Sequence, residues 1–149
     1  MIIREHYLQQ IRKFYDSDLI KIITGIRRSG KSVILSQILA EIRERGGNVM
    51  MLNFEDKLTS GTIHNVEDLL GYVQEKRAPG KLYLFLDEVQ ELDKWYDACK
   101  TLRLHEVSLF ITGSNSRLLG GEFTQFLSGR YVAFRVRPFV YRELFEYAA

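Results

Sequence analysis

Two stretches of this chain, KLYLFLDE (81–88) and VSLFITGS (107–114), are nearly unbroken apolar runs of strand length, each ending in polar residues. A sheet with one wet face would show alternation there. Continuous apolar strands need helices on both faces, which is the setting of a parallel α/β sheet. The surrounding segments agree. LIKIIT (19–24) and NVMMLNF (48–54) are further β-rich runs. From Lys31 the apolar spacing changes to three and four, with Val33, Ile34, Ile38 and Ile42 opposed by Glu41, Arg43, Glu44 and Arg45, and Gly46 and Gly47 as the stop. After a loop at TSGT (59–62), a second helix is expected around NVEDLLGYVQEK, where Asn65 and Asp68 have capping spacing. A third helix carries Trp95, Tyr96, Cys99 and Leu102, with Trp95 packed beneath it. YVAFRVRP (131–138) reads as an edge strand, because Val132, Phe134 and Val136 alternate with Ala133, Arg135 and Arg137. A short helix, VYRELFEY, is expected to close the chain.

Composition narrows the class. At 149 residues, 46% of them hydrophobic and 27% charged, the chain is expected to be a single folded domain over residues 1–149. A net charge of +2 argues against a wholesale polyanion-binding surface and leaves room for a local basic patch. The lone Cys99 has no partner for a disulfide, and His6, His64 and His105 are too scattered for a zinc site. A cytoplasmic location is therefore expected. No run approaches the roughly 20 apolar residues of a membrane span, so no membrane partner is expected. The ending LFEYAA, with Leu144, Phe145 and Tyr147 still apolar, is expected to mark the N-terminal part of a longer protein.

The chemistry lies between the first strand and the first helix. GIRRSGKS (25–32) matches G-x-x-x-x-G-K-[ST] at every specified position, after a β-run and before an amphipathic helix. Gly25 and Gly30 allow a turn that aims backbone N–H groups at a polyphosphate, and the helix start around Ser29, Gly30 and Val33 adds its own unpaired donors. Lys31 supplies a full charge to the β- and γ-phosphates, and the Ser32 hydroxyl suits Mg²⁺. Arg27 and Arg28 fit either phosphate contact or a solvated loop. LYLFLDE then brings Asp87 and Glu88 to the carboxyl end of a buried strand, Asp87 for Mg²⁺ and Glu88 as general base for the attacking water. LFITGSN brings Thr112, Ser114 and Asn115 to the same edge, where one of them could hydrogen-bond the γ-phosphate; a helix N-cap at Ser114 or Asn115 is the alternative. Arg130, in LSGRY, is a candidate to reach a neighbouring subunit's γ-phosphate, which would require a homo-oligomer.

Taken together, these segments resemble the AAA-type P-loop ATPases, and within them a prokaryotic ATPase family that usually carries a C-terminal domain with winged-helix or nuclease-like features. IITGIRRSGKS, LYLFLDEVQELDKW, LFITGSNSRLL, LSGRY and VRPFVYRELFEY carry the resemblance. It implies a three-layer fold with a five-stranded parallel sheet of order 5-1-4-3-2. It also implies ATP contact by Gly30, Lys31 and Ser32, metal and catalytic roles for Asp87 and Glu88, and a sensor at Ser114 or Asn115. The helical lid that such ATPases carry after the fifth strand would begin where this chain ends, so weak turnover is expected from it. The leading expectation is Mg²⁺-dependent ATP binding and hydrolysis. The alternatives are a nucleotide-gated binding switch with little turnover, or a nucleic-acid-binding module using Arg27, Arg28, Lys76, Arg77, Arg135 and Arg137.

Overall fold

The structure, a computed structural model, describes residues 5–26, 30–120, 125 and 127–137. Five parallel strands form one sheet in the order β2-β3-β4-β1-β5. In chain order these are β1 (Ile20–Thr24), β2 (Asn48–Asn53), β3 (Leu82–Asp87), β4 (Val107–Gly113) and β5 (Tyr131–Arg135). The order is the one the resemblance implies, read from the other edge. The two apolar runs are β3 and β4, both buried at every position, and β4 lies between β3 and β1.

The helices fall on two faces because side chains of a strand alternate. Leu82, Leu84 and Leu86 of β3 join Ile20, Ile22, Leu109 and Ile111 against α4 (Val66–Lys76) and α5 (Trp95–Arg103). Tyr83 and Phe85 join Ile23, Phe110 and Phe134 against α1 (Glu5–Arg12) and α2 (Lys31–Glu44). Phe85 and Phe110 stack at 4.7 Å between centroids across the β3–β4 pair. The apolar stripe of α2 is Ile34, Leu35, Ile38 and Ile42, all fully buried. Burial of each such side chain is worth about 1.5–3 kcal/mol. The helix closes with Gly46 N–H donating to Arg43 O and Gly47 N–H to Ile42 O, the paired bonds of a Schellman ending.

Local chemistry behaves as read at most other places. Asn65 caps α4 by accepting from Asp68 N–H at 2.8 Å, and the Asp68 carboxylate reaches back to accept from the N–H of His64, the residue before the cap, at 2.9 Å. Trp95 is buried in the core beneath α5. In β5 the expected alternation holds for Phe134 and Val136, buried, against Ala133 and Arg135, exposed. Two departures come from short elements. Part of the expected TSGT loop is a single helical turn, α3 (Lys57–Ser60), because Asp56 caps it through Leu58 N–H at 2.9 Å. The polar opening of the chain folds as α1, which buries only Leu8 and Ile11. The expected helix VYRELFEY lies outside the described residues. No described helix is long and apolar enough to cross a membrane.

Candidate functional site

In a parallel sheet every strand delivers its carboxyl end to one edge, and residues that follow the strands meet there. β1 leads into Gly25 and then to α2, whose first residue is Lys31. Gly30, the N-cap of α2, has φ 92° and ψ 11°, a left-handed conformation that a side chain would strain. Lys31 is only 7% exposed. Its Nζ donates to Gly25 O at 3.0 Å and lies 3.0 Å from Glu88 Oε2. Thus the loop lysine and the strand-end glutamate, 57 residues apart in sequence, form a largely buried ion pair. Such a pair forgoes the hydration of both charges, so each partner needs a strong replacement before it can leave.

The acids beside it are held by β4. Thr112 Oγ1 donates to Asp87 Oδ1 and accepts from Glu88 N–H, the latter at 2.9 Å. Asp87 is 3% exposed and Thr112 fully buried, so this hydroxyl fixes the end of β3 from the neighbouring strand. Glu88 itself sits at φ 53° and ψ 50°. A left-handed non-glycine residue costs on the order of 1–2 kcal/mol, and here it turns the carboxylate from the line of β3 toward Lys31. A single 3₁₀ turn, Val89–Glu91, follows.

Of the residues picked out from sequence, the structure brings Gly25, Gly30, Lys31, Asp87, Glu88 and Thr112 to one edge. Ser32 and Val33 follow Lys31 in the exposed first turn of α2. Arg27, Arg28 and Ser29 lie outside the described residues. Ser114 is the N-cap of α6 (Asn115–Leu119), yet its hydroxyl makes no capping bond; Ser114 Oγ is buried without a protein partner at this edge. Asn115 opens α6, and its side chain is not among those described. Thr112, one of three residues read as possible contacts, is the one whose hydroxyl bonds the Asp87 carboxylate and the Glu88 backbone.

Arg130 stands elsewhere. Its carbonyl accepts from Ile20 N–H at 2.8 Å, and Tyr131, the next residue, pairs with Ile20 at the amino end of β1. Four residues of β1 separate that level from Thr24, about 13 Å of strand. Within one chain Arg130 is therefore at the opposite edge from Lys31. The basic residues considered for nucleic acid are dispersed in the same way: Arg135 pairs with Thr24 at the carboxyl edge, whereas Arg77 follows α4 and donates to His105 O and Gly80 O at the amino edge. Among the described residues, Arg77 and Arg135 do not share one surface.

The oxygen donors at the site suit a small hard cation. The Ser32 hydroxyl and the Asp87 carboxylate are the oxygen donors that the sequence assigns to one, and among the described residues no cluster of three or more His, Cys, Asp or Glu side chains could hold a metal ion. Magnesium is commonly bound by one or two protein oxygens, with phosphates and water completing its shell, so the donor set fits it.

Residues 17–145 match the AAA domain family. A protein of Haemophilus influenzae, described only as uncharacterized, is 40% identical over 96% of this chain, and one of Methanocaldococcus jannaschii is 31% identical over 86%. The chain spans 37% of the first relative's length and 28% of the second's. Among solved structures, AMPPCP-bound DnaA from Aquifex aeolicus is similar over 97% of this chain and 50% of its own, with a TM-score of 0.60 at 18% identity, a likeness of fold. The fold is that of the P-loop NTPases, and the chain belongs to the AAA domain family.

Proposed function

We propose that this domain binds ATP with Mg²⁺ at the carboxyl edge of its sheet and hydrolyses the γ-phosphate. The observation that carries the reading is the buried contact of Lys31 Nζ with Glu88 Oε2 at 3.0 Å. It joins a cation on the loop that suits phosphates to an acid that suits activation of water. A protein of the same fold, DnaA of Aquifex aeolicus, is AMPPCP-bound.

Arriving phosphates replace the Glu88 carboxylate on Lys31, exchanging one anion for another. Backbone N–H groups from Gly30 to Val33 take the phosphate oxygens at the start of α2, where the helix dipole favours negative charge. Ser32 and Asp87 would hold Mg²⁺, which would add positive charge opposite those oxygens. Glu88, relieved of its cation, accepts a proton from water as the water oxygen bonds to the γ-phosphorus; the bond to the β-phosphate oxygen breaks, giving ADP and phosphate. Thr112 keeps Asp87 and the Glu88 backbone in place, and the unpartnered Ser114 hydroxyl is a donor for the γ-phosphate. Arg130, about a strand's length away, acts on a neighbouring copy's nucleotide, which makes turnover dependent on a homo-oligomer.

Calorimetric titration of ATP with Mg²⁺ into the protein and into Lys31→Ala tests the reading. Binding by the first and binding about 10- to 100-fold weaker in the second are expected. Equal binding by both would remove the loop from the site. A nucleotide-gated switch without turnover is separated from an ATPase by phosphate release, measured on the parent and on Glu88→Gln.

A further inference from the structure

Glu88 has a third partner. Gln90 Nε2 donates to Glu88 Oε1 at 2.7 Å, while Lys31 engages the other carboxylate oxygen. Side chains two residues apart do not face each other on a regular helix, and in a strand that spacing puts them about 7 Å apart. Here the left-handed Glu88 and the 3₁₀ turn beginning at Val89 fold the two side chains together. Room for Gln90 is made by β4: a Cβ placed on Gly113 would lie 2.2 Å from Gln90 Oε1. That oxygen is buried and accepts no hydrogen bond, so the amide is seated by packing against the Gly113 backbone and by its single bond to Glu88. Arg117 reaches the Gln90 carbonyl at 3.5 Å and Glu91 at 3.4 Å, tying the 3₁₀ turn to α6.

We infer that Gln90 is a positioning residue for Glu88, the group that keeps the carboxylate aimed once Lys31 has turned to phosphate; the inference rests on the hydrolytic reading above. With Lys31 engaged by phosphate, Glu88 loses the partner that holds Oε2, and a carboxylate on three side-chain rotations would sample orientations unable to take the proton. The Gln90 N–H remains on Oε1 and restricts those rotations without occupying the oxygen that Lys31 vacates. A neutral amide suits this task better than a second cation, which would compete with water for the carboxylate. Gln90 touches neither phosphate nor water in this scheme and acts only through Glu88.

The test is steady-state ATP hydrolysis and ATP affinity in the full chain carrying Gln90→Met, which keeps the length and packing and removes the donor, and Gln90→Glu, which keeps the shape and reverses the interaction. Both are expected to lower kcat roughly 10- to 100-fold, the effect of misplacing a reacting group by about an ångström. The ATP dissociation constant is expected to stay within about twofold, with the melting temperature as the check on folding. Placed in Glu88→Gln, the same Gln90→Met change is expected to add no further loss, because the residue through which it acts is gone. An unchanged kcat in either folded variant overturns the inference, as does a further loss in the Glu88→Gln background. If the parent binds ATP but releases no phosphate, the hydrolytic reading fails instead. If it hydrolyses ATP and Glu88→Gln leaves that rate intact, Glu88 is not the base and Gln90 has nothing to position, so the two failures are distinguishable.

Discussion

β1 has a buried lysine at each end, and the two are held by opposite means. Lys31, past the carboxyl end, rests on one carbonyl and one carboxylate, Gly25 O and Glu88 Oε2. Lys21, near the amino end and fully buried, donates to Ser17 O at 2.9 Å and Ser108 Oγ at 2.7 Å, with its ammonium 4.7 Å from the centre of the Phe110 ring. Ser108 passes the contact on to Tyr15 O at 2.7 Å. Neutral oxygens and a ring only partly replace the water that a buried ammonium gives up, and burial brings the Lys21 pKa down to about 7. The difference separates a site from a strut. An ammonium paired with a carboxylate can change anions, because the partner it releases regains solvation or a proton. One clamped between a loop carbonyl and a strand hydroxyl joins Tyr15 and Ser17 to β4 and has no anion to exchange.

Variants at the two edges should therefore fail in different ways. The largest effect is expected from Glu88→Gln, which removes the base: kcat should fall by about 10²–10⁴, with ATP affinity kept or raised because Lys31 no longer faces a competing carboxylate. Phosphate release and calorimetry on the same variant check both halves, and a weakened affinity would break the picture of Glu88 as a competitor. Next, Lys31→Ala should raise the ATP dissociation constant about 10- to 100-fold, the value of one or two charge-assisted contacts. Lys21→Met should leave it unchanged. If the amino-edge variant weakens ATP as much as the carboxyl-edge one, the contrast between the lysines is wrong.

How far the sequence carried the reading follows from what each pattern encodes. Strands β1 to β4 were legible to within a residue or two because apolar runs report burial directly, and the helices α2, α4 and α5 because their apolar spacing and caps are local. The order of the strands was not encoded in any run; it entered through the resemblance carried by the loop and the strand-end acids. The helix α1 escaped because EHYLQQIR offers only Leu8 and Ile11 to a core across two turns. At the site, Lys31, Asp87 and Glu88 stand where strand-end logic puts them. The choice among Thr112, Ser114 and Asn115 depended on which side chain of β4 faces Asp87, a question of register between strands. The contact of Gln90 with Glu88 needs a left-handed residue, which no periodicity announces. Lys21 sat inside an apolar run and drew no attention.

The strut can be tested through pH. Above about 7 the native Lys21 is largely neutral, whereas an unfolded lysine keeps its proton up to about 10.5. Unfolding in that window takes up a proton, so this residue makes stability rise with pH there, and below the window the full cost of burying its charge remains. The slope should approach about 1.4 kcal/mol per pH unit at most. Urea unfolding across the window should show the rise in the parent and its absence in Lys21→Met. A rise that survives the substitution would mean that Lys21 is not its source.

The smallest effect lies on the same edge and has the opposite sign. The Asp16 carboxyl is held below its ordinary range, first by the Tyr83 hydroxyl that donates to it, against a cost of partial burial, and then by Arg45 and Lys81 nearby. A lowered native pKa means that its contribution is present at neutral pH and is lost as pH falls below the unfolded value of 3.8 and through the native one. With 59% of the side chain exposed, solvent screening reduces that contribution to about 0.2–1 kcal/mol. Asp16→Asn should remove it at neutral pH and flatten the acid limb of the stability profile; because the Asp16 charge favours the Lys21 ammonium, the same change should also start the Lys21-linked rise at a lower pH. The amino edge would then be bounded by two titrations, Asp16 weakening it in acid and Lys21 strengthening it in base, neither of which touches ATP. A change in ATP affinity on Asp16→Asn would instead couple the two edges through β1, and the lysine contrast would have to be rebuilt around that coupling.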